Sequence, residues 1–63
     1  MYYLVFRDVN GKVCMYYRQG LWATFEIKDA RSFYYRDEAA SFLRRKLEEH
    51  HEFQHFEVLK IKQ

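Results

Sequence analysis

The sequence predicts an α+β domain: an antiparallel β-sheet of about four strands with one helix on one face, in the order β-β-β-α-β. Three observations carry this expectation. The first 28 positions are rich in aromatic and β-branched residues and are broken by glycine at 11 and 20, as short strands and tight turns require. Between Asp37 and His50 the apolar residues recur at helical spacing. From Phe56 to Lys62 they return to alternation. With 63 residues there is room for a single domain, 1–63. A chain of this size buries only about 60% of its unfolded surface.

Tyr2 to Asp8 reads as the first strand. Asn10-Gly11 offers the two positive-φ positions of a type I′ hairpin turn, and Lys12 to Arg18 is the return strand. A two-residue Asn-Gly loop pairs Phe6 with Met15, Val5 with Tyr16 and Leu4 with Tyr17. Gln19-Gly20 is a second turn, and Leu21 to about Ile27 is the third strand. Ile27, Ala30 and Phe33 are spaced by three, which suits a short helical turn tucking apolar groups under the sheet, with Tyr34-Tyr35 extended after it. Asp37 is the expected N-cap and Glu38 favours the first turn. The helix then runs to about His50, with Ala39, Ala40, Leu43 and Leu47 as its apolar stripe and Phe42 at the edge. Arg44–Glu48 and Arg45–Glu49 are its expected i,i+4 pairs.

Strand alternation sorts the sheet into two faces. Tyr2, Leu4, Phe6, Val13, Met15, Tyr17 and Trp22 carry no charge and are assigned to the helix side. The other face holds Tyr3, Val5, Arg7, Cys14, Tyr16, Arg18, Ala23 and Phe25. One helix shields one face, so Tyr3, Val5, Tyr16 and Phe25 are expected toward solvent, interleaved with Arg7 and Arg18. A contiguous apolar patch on a small monomer marks an interaction surface, and Tyr and Arg are enriched at interface hot spots. Each doubled tyrosine (2–3, 16–17, 34–35) should put one ring inside and one outside. The structural alternative is that aromatic strands simply form stable cross-strand ladders.

Charge is mildly basic, +2 overall. Residues 1–36 hold six basic against three acidic side chains, and residues 37–63 hold five against six, so the positive excess lies on the predicted sheet. No apolar run approaches the roughly 20 residues that cross a bilayer, and the N-terminus lacks a signal-peptide pattern, so a cytoplasmic location is expected. The lone Cys14 offers no intrachain disulfide.

Little in the chain suggests catalysis. His51-Glu52-Phe53-Gln54-His55 matches the H-E-x-x-H zinc signature. It straddles the predicted helix end, and the short remainder of the chain offers only Glu57 as a third ligand and no cleft. His50, His51 and His55 could at most bind zinc or nickel adventitiously; no metal, cofactor or catalytic residue is expected. Cys14 lies mid-strand, away from any histidine in sequence, and reads as an apolar filler. Arg44-Arg45-Lys46 could meet phosphates, but Glu48 and Glu49 follow one turn later.

The hairpin Asp8-Val9-Asn10-Gly11-Lys12, then Trp22, then Ala30 and Phe33 three apart, then Asp37-Glu38-Ala39 opening a helix, resemble a loose group of short phage and bacterial proteins of unknown function. The resemblance covers about two-thirds of the chain. It implies a compact α+β module, in some members one that binds host proteins, and no catalytic residue. The tyrosine density and the histidine cluster depart from that pattern.

These readings converge on a non-enzymatic interaction module, encoded by a phage or mobile element. It is expected to bind a protein partner or itself, as a homodimer, through Tyr3, Val5, Arg7, Tyr16, Arg18 and Phe25. The alternative is a nucleic-acid-binding protein using the same basic aromatic face.

Overall fold

The computed structural model describes residues 1–20 and 22–62. Its strands are β1 (Tyr2–Arg7), β2 (Val13–Arg18), β3 (Trp22–Thr24) and β4 (Phe56–Lys60), with helix α1 (Arg36–Glu49) between the last two. The sheet is antiparallel throughout, in the order β3-β2-β1-β4. The expected α+β architecture is therefore the one observed. Leu21 lies outside the described residues, β3 stops at Thr24 rather than near Ile27, and β4 ends at Lys60 rather than Lys62.

The β1–β2 hairpin keeps the expected partners Val5↔Tyr16 and Phe6↔Met15 but reaches them by a different route. Asp8 N–H donates to the Lys12 carbonyl (2.8 Å) and Gly11 N–H to the Asp8 carbonyl (3.0 Å), which closes a three-residue loop over Val9, Asn10 and Gly11. Only Gly11 is left-handed, at φ +83°. The Asp8 carboxylate decides the matter: its Oδ1 accepts the N–H groups of Asn10 (2.8 Å) and Lys12 (3.0 Å), an Asx turn that the tighter loop could not hold. Arg7 consequently faces Val13, and Cys14 is the extra residue of a β-bulge that restores the register at Met15.

Beyond Val5 the β1–β2 ladder gives way, so the expected Leu4–Tyr17 partnership does not form within it. The segment after β3 enters instead. Arg31 N–H donates to the Tyr17 carbonyl (3.0 Å), and Phe33 exchanges two bonds with Tyr2 (2.8 Å each). A 3-10 turn over Ile27–Asp29 leads into this segment and delivers Phe33 to the interior, as the spacing of Ile27, Ala30 and Phe33 suggested.

The core lies between the sheet and α1. Leu4, Tyr17, Phe33, Ala39, Phe53 and Phe56 are buried together, with Tyr2, Phe6, Phe42, Leu43 and Val58 packed against them. The uncharged face is thus the covered one, except that Val13, expected there, lies opposite Arg7 and so on the back. Phe42 belongs to the packing rather than the margin, since its ring meets Tyr17 and Phe33, each at 5.4 Å. Leu47, expected in the stripe, is exposed. Tyr35, not Asp37, is the N-cap, extended and without a side-chain cap bond. The ion pair on α1 is Lys46–Glu49 (3.7 Å), not Arg44–Glu48 or Arg45–Glu49. Those two pairings place Arg ahead of Glu, the less favourable order along a helix.

Trp22 is the backbone exception. It pairs with Arg18, which ordinary alternation would place on the back of the sheet, yet its ring meets Phe53 (4.6 Å) and Phe56 (5.7 Å) of the core. A left-handed φ of 71° turns the side chain to that side. For a bulky L-residue this conformation costs on the order of 1–3 kcal/mol, sustained here by aromatic packing.

Candidate functional site

The back of the sheet is the surface to which the sequence assigns binding. β1 is one of its two inner strands, with Tyr3 opposite Leu59 and Val5 between Tyr16 and Glu57. Side chains of the flanking strands, not a covering layer of helix, account for the first correction: Tyr3 and Val5, expected toward solvent, are 3% and 0% exposed. Tyr3 stands edge-on to Tyr16 at 6.3 Å. Arg7 pairs with Glu57, which lies directly across from Val5, so the two charged side chains flank it. Arg7 also donates to the Gly11 carbonyl at 2.8 Å. Its guanidinium is therefore engaged within the chain.

The rest of the face is open to different degrees. Tyr16 and Arg18 are half-buried, as are Val13 and Leu59. Ala23 is a second correction. It pairs with Tyr17 and so belongs to the helix side, whereas Thr24 takes the place opposite Tyr16. The sequence itself holds no signal that chooses between these two frames. Phe25 falls one residue beyond β3 and is 76% exposed. Of the six residues assigned to binding, Arg7 and Phe25 are exposed and Tyr16 and Arg18 half-buried, with Arg7 held in its ion pair.

The histidine motif lacks the stacked i,i+4 geometry of the zinc signature. His51–His55 is a separate 3-10 helix, in which residues four apart are rotated by about 120° rather than stacked on one side. Phe53 is buried in the core, and the His55 ring packs against Phe6 at 5.8 Å. Among the described residues no group of three or more His, Cys, Asp or Glu side chains is placed to hold a metal. No cavity opens among them either.

Two features were missed at the level of sequence. Tyr34 and Tyr35, expected to put one ring in and one out, are both exposed, with ring centres 6.1 Å apart. Arg31 reaches over Phe33 (4.7 Å) and Phe42 (4.5 Å), and Arg45 (5.9 Å) and Lys46 (5.5 Å) approach the same Phe42 ring. The run Arg45-Lys46 was visible in sequence; its meeting with Arg31 depends on how the 25–35 segment returns across the domain.

Comparison with models of known protein families, with curated proteins and with solved structures finds no match. No helix among the described residues is long and apolar enough to cross a membrane.

Proposed function

We propose that the protein is a non-enzymatic interaction module of the cytoplasm, encoded by a phage or mobile element, that binds a protein partner or a second copy of itself through the back of its sheet. The observation that carries this reading is the incomplete cover of that face. Around buried Tyr3 and Val5, the side chains of Tyr16, Arg18 and Leu59 stay half-exposed, and Phe25 stands beside β3 almost fully in solvent. A rigid, pre-packed base with an accessible aromatic and arginine rim is the composition of an interface hot spot. The free thiol of Cys14 suits a reducing compartment. The source rests on the resemblance of the hairpin, Trp22 and helix-start residues alone.

The nucleic-acid alternative on this same face is less well supported, because Arg7 is committed to Glu57 and Arg18 is left as the cation available there. The test is association measured by light scattering over a range of concentrations, and by capture of partner proteins under defined salt. Arg18→Glu combined with Phe25→Ser should weaken association at least tenfold while the thermal melt is preserved. Association unchanged by the pair removes this face from the proposal.

A further inference from the structure

The geometry points to a second surface, on the helix side, that binds single-stranded nucleic acid: phosphates at Arg31, Arg45 and Lys46, and bases on Tyr34 and Tyr35. All three cations lie within 5.9 Å of the centre of one ring, Phe42. Among the described residues only Lys46 has a carboxylate partner, Glu49 at 3.7 Å, and that contact is partly exposed. Three positive charges gathered around one ring attract a polyanion, whose binding releases its counterions. The exposed tyrosine pair begins one residue after Phe33, whose ring lies under the same Arg31 guanidinium. Cations and solvent-facing aromatic rings are the two elements by which proteins hold single strands without reading sequence. The opposing charges are Asp37 and Glu38 in the first turn of α1, with Glu38 one turn before Phe42, and Glu48 and Glu49 at its end, of which Glu49 is engaged by Lys46.

Tyr35 supplies an independent sign of use. It occupies an extended N-cap position where Ser, Asp or Asn would bond the exposed helix N–H groups, and it makes no such bond. An exposed aromatic ring stands there in place of a stabilising cap.

The experiment is fluorescence anisotropy of a labelled single-stranded oligonucleotide of about ten nucleotides, with poly-glutamate as the competing polyanion. Three phosphate contacts predict an affinity loss of about 20-fold between about 50 and 200 mM salt, and Arg31→Gln with Arg45→Gln should reduce that loss to about threefold. Arg31→Lys keeps the charge and should keep the steep salt response, which separates charge from packing over Phe42. Tyr34→Ser with Tyr35→Ser should weaken binding without changing the salt response, and Ser at 35 is the better cap, so loss of binding there is not loss of fold. Glu38→Gln should tighten binding, an effect no unfolding can mimic. Lys12→Gln, in the exposed β1–β2 loop, should change nothing. Absence of binding at low salt, a salt response that survives the double arginine change, tyrosine variants that bind normally, or equal affinity for poly-glutamate would each overturn the assignment.

Discussion

At Gly11 the backbone carries a φ of +83°, and a Cβ built there would meet no atom within 4 Å. Any penalty for a side chain is therefore purely conformational. Gly11→Ala should destabilise the domain by about 1 kcal/mol, read as a lower melting temperature with an unchanged far-ultraviolet spectrum. The neighbouring Asp8 shows what the sequence conceals at this scale. Asn-Gly is the strongest short hairpin signal, but a carboxylate two residues earlier offers two bonds to the backbone, and those bonds select the longer loop. Similarly, alternation places Tyr3 and Val5 correctly on the back of the sheet. It cannot report their burial, because that depends on β1 being an inner strand, which requires β4 from the far end of the chain.

Among the elements, α1 was legible in extent to within a residue at each end, since Ala39, Phe42 and Leu43 repeat at its period. Its N-cap was not. Asp37 has the right chemistry, but the 31–35 stretch must run extended to let Phe33 pair with Tyr2, and the helix starts as soon as that path ends. Tyr35→Asp should stabilise the fold by about 1 kcal/mol. In a domain of this size that corresponds to a rise in melting temperature of about 4–8 °C by calorimetry. β3 was the least legible strand. Its frame is set by the turn at Gln19-Gly20 and by Trp22, whose left-handed backbone defeats the alternation rule and still returns the ring to the side the sequence assigned.

For the whole molecule, the Cα radius of gyration of 10.8 Å is close to the ~10.6 Å expected of a packed chain of this length. The interior is built largely from rings: Tyr17, Phe33, Phe42, Phe53 and Phe56 meet one another at 5.4 to 6.4 Å. Phe33 is 2% exposed and fastens the crossing segment to both the sheet and α1. Phe33→Ala should cost about 3–5 kcal/mol, a large share of the stability of so small a domain. Loss of the cooperative melt is the outcome expected in thermal denaturation. The covered face was legible because it is free of charge along three strands. The cation cluster was not, because Arg31 and Arg45 come together only through the path of the chain between β3 and α1.

The bulge at Cys14 leaves the hairpin with a spare residue. Every cross-strand partner on either side of it, Phe6 with Met15 and Arg7 with Val13, is already in place without it. A chain shortened by that single position would keep both faces of the sheet as they are, because the partners on either side of it already face each other. The hairpin thus has one site where its length is free to change, and it coincides with the molecule's sole thiol.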